Sequence, residues 1–317
     1  DWIGFKGESV KVETACSSGS AALRAGIIAV ASGEVDSAMT VGVEKMTDSA
    51  PTEVTSALAT AADSDWELEQ GVSFVSLNAL IMRRYMHEYG WKHDDFAPFS
   101  INAHANAAHN PNARLPFAIT EEQYLKASMI AAPINLMDAS PTGDGAAAAL
   151  IVPLNMVRNE KQAIRIAGSG SATDTLSIHS RKKPLFLQAA YLSAQQAYKQ
   201  AGITPDDIDF FELHDAFSIM SALSLEAAGF AEQGQGPRLA LDNEITPKGG
   251  RLPICTRGGL KGRGHPVGAT GMYQIVETVQ QLRGKCGETQ IDGAKIGMAQ
   301  NIGGSGASIL THILTRT

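Results

Sequence analysis

The order of segments along the chain repeats, and this repeat constrains the fold more than any single motif. Each half has a turn that carries a reactive residue, a helix, a strand and, late in the half, a glycine-rich turn into a closing strand. Asp144-Gly145-Ala146-Ala147 in the first half corresponds to Ser305-Gly306-Ala307-Ser308 in the second. Two α/β halves related by a pseudo-twofold axis would bring the ends of their strands towards a shared cleft.

A polar stretch between two apolar segments marks the boundary of these halves. The sequence therefore predicts an N-terminal half at 1–160 and a C-terminal half at 161–317. Within the first half, residues 44–139 are rich in proline and histidine and predict an inserted helical loop domain that could cover a site. A strand, helix and strand around the first reactive turn predict a parallel pair with a right-handed crossover.

The predicted elements follow hydrophobic periodicity and turn residues. In the first half they are a strand at 10–12, a buried helix at 21–32, a strand at 38–43 covered on both faces, helices at 72–89 and 101–109, and a buried strand at 146–152. In the second half they are strands at 163–168, 209–213, 295–299 and 307–314 and helices at 189–201, 218–228 and 272–282.

Composition excludes several classes of function. The 26 Lys and Arg against 33 Asp and Glu leave a formal net charge of −7, without the basic cluster of a nucleic-acid-binding protein. No apolar run reaches the ~18 residues of a membrane span, and no signal peptide precedes the first predicted strand. Three cysteines form neither CxxC pairs nor an even disulfide set, so we expect no metal site and a cytoplasmic enzyme with free thiols.

Cys16 lies where a predicted strand gives way to a helix N-terminus. Free backbone N–H groups and the helix dipole at such a place lower a thiol pKa and can hold an oxyanion. A free cysteine is also among the most buried residue types and is often only a small apolar side chain. This stretch alone leaves both readings open.

Other residues favour a nucleophile at Cys16. His265 lies in a glycine-flanked turn at the head of a helix, where the backbone can approach a ligand closely. His214 follows a buried strand, a common position for functional residues in parallel sheets. The turn around Gly303 offers backbone N–H groups, although a lone glycine-rich turn is a weak signal. A thiolate, a base and oxyanion donors are what covalent acyl transfer needs.

Together these residues resemble the thiolase family, in particular the branch of archaeal acetyl-CoA acetyltransferases and sterol-carrier-protein-x-type thiolases. The matching stretches lie in family order over essentially the whole chain: Thr14-Ala15-Cys16-Ser17-Ser18-Gly19, 138–147, His214-Asp215-Ala216-Phe217, Gly264-His265-Pro266 through Gly271, and Asn301-Ile302-Gly303-Gly304. The resemblance implies a five-layered α-β-α-β-α fold of two pseudo-symmetric halves. It also implies that a strand–helix–strand segment ahead of the nucleophile is missing.

The resemblance implies a role for each matching residue. Cys16 would form an acyl-thioester, and His265 would take its proton and later help to hold a thioester oxygen. His214 would donate to the oxyanion hole, which the backbone N–H groups of Cys16 and Gly303 complete. Ser140 would lie beside the pantetheine of the bound substrate, and Phe217 would line the acyl pocket.

One departure concerns the base for carbon–carbon bond formation. Many thiolases have a second cysteine just before Ile-Gly-Gly, where this chain has Asn301, which we expect to face the substrate. Some relatives place a cysteine where this chain has Ala216. Cys255 is then the remaining candidate base, and Cys286 is interpreted as a bystander. A positioned base is required because a thioester α-proton is only weakly acidic.

The function implied is acetyl-CoA C-acetyltransferase, which cleaves or forms acetoacetyl-CoA with coenzyme A and acyl-CoA as substrates and no tightly bound cofactor. The alternatives are a longer-chain 3-oxoacyl-CoA thiolase, a thiolase-fold lyase, and a scaffolding subunit. The resemblance also implies a homodimer or tetramer in the mevalonate pathway. Partners could be 3-hydroxy-3-methylglutaryl-CoA synthase and a small zinc and oligonucleotide-fold adaptor.

Overall fold

The computed structural model describes Gly4 and residues 6–157 and 162–316. Its α-helices are α1 (Ser18–Ala31), α2 (Pro51–Ala59), α3 (Phe74–Tyr89), α4 (Ala97–Ala107), α5 (Glu121–Leu125), α6 (Gln188–Ala201), α7 (Ser218–Ala227), α8 (Gly236–Leu241) and α9 (Thr270–Leu282). Its strands are β1 (Ala38–Glu44), β2 (Met129–Ala131), β3 (Ile134–Asn135), β4 (Gly145–Ile151), β5 (Ile164–Thr173), β6 (Phe210–Glu212), β7 (Ile296–Gly303) and β8 (Ser308–Arg316). Among the helices of these ranges, none is long and apolar enough to cross a membrane.

The second half is built on a four-stranded sheet in the order β5-β8-β7-β6. The β6–β7 pair is parallel, and the other two pairs are antiparallel. Helix α6 packs against β5 and β8, and α9 packs against β7. The strands β7 and β8 are longer than the predicted 295–299 and 307–314, because their ladder continues without a break to Gly303 and Ser308.

The first half has a smaller sheet of β1 and β4, and here two predictions are wrong. The two strands pair antiparallel, from Ala38 opposite Ile151 to Glu44 opposite Gly145. The predicted parallel crossover from 10–12 to 38–43 is wrong, because the described residues 10–12 form no strand with which β1 could pair. Only one face is covered, by α1 and α9, and the other face exposes Met39 and Leu150 to about 70%. The prediction that this sheet is covered on both faces is therefore wrong for the described residues.

The predicted strand at 10–12 is also wrong. The described chain there belongs to no strand or bridge, and the Val10 side chain is 70% exposed. A β-strand needs a partner for its backbone N–H and C=O groups. Four of the five expected layers follow each other in the order α6, the four-stranded sheet, α1 with α9, and the β1–β4 sheet.

Helices α1 and α9 meet at their N-terminal ends. A Cβ atom added at Gly19 would lie 2.9 Å from both the Gly268 carbonyl oxygen and the Met272 nitrogen. Glycine at this position therefore lets the start of α1 contact the start of α9 directly. Because Cys16 and His265 precede these two helices, the contact brings both turns to one place.

The segment 44–139 contains the helices α2 to α5 and the short antiparallel pair β2–β3. Helix α3 begins after Ser73, whose hydroxyl accepts from the Ser76 N–H, and ends at Gly90 in the left-handed conformation. Helix α4 covers 97–107 rather than 101–109, because Pro98 fits the first turn of a helix. From α4, Asn102 and Asn106 donate to the carbonyl groups of Ile254 and Cys255, which anchors the insertion to the second half.

Candidate active site

Cys16 lies on a sharp turn directly before α1. Ala15 has a φ of +53°, which is uncommon for a residue with a side chain, so the turn just before Cys16 is strained. The turn is held by the Ser17 hydroxyl, which donates to the Thr14 carbonyl at 2.7 Å, and by the Ala15 N–H, which donates to Glu13 Oε1 at 2.7 Å. The predicted place of Cys16 at a helix N-terminus is confirmed.

The expected lowering of the thiol pKa is wrong for the resting protein. Desolvation by the surrounding protein raises the pKa of Cys16 to about 11, and Glu44 and Glu13 raise it further. Hydrogen bonds from the N–H groups of Gly304 and of Cys16 itself lower it, but by less. The thiol is therefore protonated at neutral pH and needs a base.

The sequence predicts an N–H donor at Gly303, but the donor to the Cys16 thiol lies one residue later in the chain. The N–H that reaches the sulfur is that of Gly304. Gly303 is the residue that lets the turn approach, because a Cβ atom there would collide with the Thr14 carbonyl oxygen and lie 2.6 Å from the Ser17 hydroxyl.

His265 has one ring nitrogen committed to a neighbour. Its Nδ1 lies 2.6 Å from the Thr270 hydroxyl, and that hydroxyl donates its proton to the Pro266 carbonyl at 2.9 Å. The hydroxyl can then only accept from Nδ1, so the imidazole carries its proton on Nδ1 and leaves Nε2 free. Burial, with Arg263, lowers the pKa of His265 to about 3, which keeps the ring neutral and leaves Nε2 unprotonated at neutral pH.

His214 lies directly beside His265. The two rings meet edge to face, with centroids 5.1 Å apart. Burial lowers the pKa of His214 well below its usual value, and the positive charges of Arg263 and Lys261 add to this effect. Its Nδ1 faces the Asn301 side-chain nitrogen at 3.1 Å. The structure therefore brings His214 and His265 into contact, and it links them through Asn301 to the strand that ends at Gly303, next to the Gly304 N–H that reaches Cys16.

The two expected substrate contacts lie at the edge of this group. The Ser140 N–H donates to the Ala216 carbonyl at 2.9 Å, and Ala139 pairs with Phe217 in a short antiparallel bridge. The His265 N–H donates to the Pro141 carbonyl at 3.2 Å. Ser140 and Phe217 are both half-buried, so their side chains can meet a ligand beside the histidines.

Asn301 and Cys255 do not lie where the sequence suggests. Asn301 is fully buried, and its amide reaches His214 instead of an open surface. Cys255 is 1% exposed, and its thiol donates to the Leu213 carbonyl at 3.8 Å, beneath the turn that carries His214. Burial raises the pKa of Cys255 well above its usual value, and Asp215 and Glu212 raise it further. A protonated, enclosed thiol is not placed to act as a base.

A fully buried lysine holds the turns of the site together, and sequence reasoning missed it. The Lys261 ammonium donates to the carbonyls of Asp138 and Asp215, at 2.7 and 3.0 Å. The Asp215 carboxylate in return accepts the N–H of Leu260 at 2.6 Å. These bonds join the turns that carry Ser140, His214 and His265.

Thr270 was missed as well, although it lies in a matching motif. Its position in the first turn of a helix, five residues after His265, is the signal that could have identified it. Cys286 is buried with a pKa raised to about 12 by desolvation, and its carbonyl accepts from Arg257. It has no contact with the site residues named above among the described hydrogen bonds, as a bystander should.

Sequence comparison identifies known domains over most of the chain. Residues 4–155 match the family description "Thiolase, N-terminal domain", and residues 170–316 match "Thiolase C-terminal domain-like". The acetyl-CoA acetyltransferase of Methanothermobacter thermautotrophicus is 45% identical over 97% of this chain and 80% of its own length. The acetyl-CoA acetyltransferase of Methanocaldococcus jannaschii is 38% identical over the same shares.

A solved structure agrees with the fold. The "Ltp2-ChsH2(DUF35) aldolase" superposes with a TM-score of 0.83 and 25% identity, over 96% of this chain and 78% of that one.

Proposed function

The chain belongs to the thiolase family and is an acyl-CoA:CoA C-acyltransferase, and on that premise we propose that Cys16 carries the acyl group and that acetoacetyl-CoA is the substrate. The observation that supports the proposal most is the contact between the N-terminal ends of α1 and α9, because Cys16 precedes one of these ends and His265, in contact with His214, precedes the other. The acetyl chain length follows the names of the similar archaeal proteins.

In the proposed acylation step, each of these residues has one role. His265 Nε2 accepts the proton of the Cys16 thiol as the sulfur attacks the thioester carbonyl. The N–H groups of Cys16 and of the Gly303–Gly304 turn stabilise the negative charge that develops on the carbonyl oxygen. Coenzyme A leaves with the proton from His265, and an acyl-thioester remains on Cys16.

Thiolysis of acetoacetyl-CoA by coenzyme A tests the proposal. We expect the protein to produce acetyl-CoA, and Cys16→Ala to lower kcat by at least about 10⁴-fold, as loss of a nucleophile does. Cys286→Ala is the matched control, since it also removes a buried thiol, and it should retain the activity. Comparable turnover in Cys16→Ala and the unaltered protein would refute the proposal.

A second candidate is carbon–carbon cleavage without thiolysis. It is favoured by the likeness to an aldolase and by the lack of a second cysteine at Asn301 or Ala216. Such a lyase would split a 3-hydroxyacyl thioester into a carbonyl compound and an acyl-CoA without consuming coenzyme A. Measuring coenzyme A consumption alongside product formation separates the two reactions.

We further propose a cytoplasmic homodimer or tetramer of the mevalonate pathway, with no tightly bound cofactor. Three free cysteines support a reducing compartment. The structural neighbour that combines a similar chain with a DUF35 protein supports a small adaptor as partner, and 3-hydroxy-3-methylglutaryl-CoA synthase would consume the product.

A further inference from the structure

Carbon–carbon bond formation needs a second proton transfer. The two positions at which many thiolases carry a cysteine base are Asn301 and Ala216 in this chain. The groups around Cys16 that can accept a proton are few. Glu13 and Glu44 both raise the pKa of Cys16, but each carboxylate already accepts a backbone N–H group. Glu13 accepts from Ala15, and Glu44 accepts from Gly268 at 3.0 Å. Cys255 is enclosed beneath the His214 turn. The two histidines remain.

Hydrogen bonds assign different tautomers to these histidines. The side-chain nitrogen of Asn301 can only donate, so His214 Nδ1, 3.1 Å away, accepts. A neutral imidazole with an unprotonated Nδ1 carries its proton on Nε2, which makes His214 a donor at that atom. His265 is the opposite case, because Thr270 holds its proton on Nδ1 and leaves Nε2 as an acceptor.

Resting on the proposed function, we propose that His265 is the base for both proton transfers, and that Asn301 is a positioning residue that keeps His214 as the donor. After acylation, His265 is neutral again and its Nε2 removes the α-proton of the second acetyl-CoA. His214 Nε2–H donates to the enolate oxygen as it forms.

The protons and electron pairs of this step balance within the site. The electron pair of the broken C–H bond forms the new bond to the acyl carbon on Cys16. The bond between that carbon and Cys16 Sγ breaks, and the thiolate takes the proton from His265 Nε2. Acetoacetyl-CoA leaves, and both side chains return to their starting forms.

Proton exchange isolates the second transfer from acylation. In the Cys16→Ala background no acyl-enzyme can form, so exchange of the acetyl-CoA methyl protons with D2O, followed by NMR, reports α-proton removal alone. We expect exchange in Cys16→Ala and equal exchange when Cys255→Ser or Glu44→Gln is added. Adding His265→Gln should lower it about 100-fold, the scale of a general base.

Asn301 is tested by two variants together with the tautomer of His214, because a carboxylate at this fully buried position can also disturb the packing, and only the tautomer isolates the positioning role. Asp is nearly isosteric with Asn but accepts from Nδ1, which moves the His214 proton off Nε2. We therefore expect Asn301→Asp to lower exchange about 100-fold, the cost of one lost oxyanion donor, and Asn301→Ala to lower it less. In ¹⁵N spectra of histidine-labelled protein, His214 should be protonated at Nε2 and His265 at Nδ1.

The inference would be overturned by the absence of exchange in Cys16→Ala, or by exchange that survives His265→Gln. Loss of exchange with Cys255→Ser or Glu44→Gln would overturn it as well. So would a milder effect of Asp than of Ala at position 301, or the reverse tautomers of the two histidines. These results leave the acyl-enzyme untouched, because thiolysis by the unaltered protein is measured separately. Absence of thiolysis there would instead refute the proposed function.

Discussion

Thr270 is the residue on which the basicity of His265 Nε2 depends. Its hydroxyl is the acceptor that holds the imidazole proton on Nδ1. We expect Thr270→Val to lower kcat for thiolysis about 5- to 10-fold, the equivalent of one hydrogen bond of about 1 kcal/mol, because the ring can then take the other tautomer. Thr270→Ser retains the hydroxyl and should restore most of the rate.

The pH dependence of the same assay provides a second readout. The folded pKa of His265 is depressed to about 3, so its Nε2 stays unprotonated as the pH falls through 6.5 towards 4. The acid limb of kcat/KM should therefore lie well below the pH 6.5 of an ordinary histidine. Thiolysis that halves near pH 6.5 in the unaltered protein, or a rate unchanged in Thr270→Val, would contradict this account.

At the scale of elements, the contact of α1 with α9 positions the site. Gly19→Ala places a methyl group 2.9 Å from backbone atoms that cannot move independently. We expect the free energy of unfolding to fall by about 1–3 kcal/mol, as overpacking does, although alanine is the better helix former. Activity should fall as well, because the two helices must separate.

Ala25→Gly in the same helix calibrates the effect of backbone propensity. Ala25 is exposed, so this change should cost about 1 kcal/mol with little loss of activity. Urea denaturation and thiolysis of both variants measure the comparison. If Gly19→Ala is more stable than the unaltered protein, the helices are not in the contact described.

At the scale of the whole molecule, the sequence predicts most helices and the closing strand of each half, and it identifies Cys16, His265 and His214 but not Lys261 or Thr270. Helices and glycine-rich turns are local patterns, so α3, α6 and α9 lie close to their predicted ranges. Strand pairing is not local, and for that reason the antiparallel β1–β4 pair and the exposed face of β1 were missed. The burial of Cys255 and the contact of Asn301 with His214 likewise depend on distant segments.

The raised pKa of Cys16 has the same origin. The helix N-terminus is visible in the sequence, but the desolvation that outweighs it depends on how the folded chain packs around the thiol. Charges near the site, such as Lys261 and Asp215, belong to turns that only the fold brings together.

The central claim is that Cys16 carries the acyl group, and intact-protein mass spectrometry after incubation with acetyl-CoA tests it most directly. The account predicts a mass increase of one acetyl group, located by peptide mapping on Cys16 and absent from Cys16→Ala. An unmodified protein with a free Cys16 thiol, or an adduct of the same size on Cys16→Ala, would contradict it.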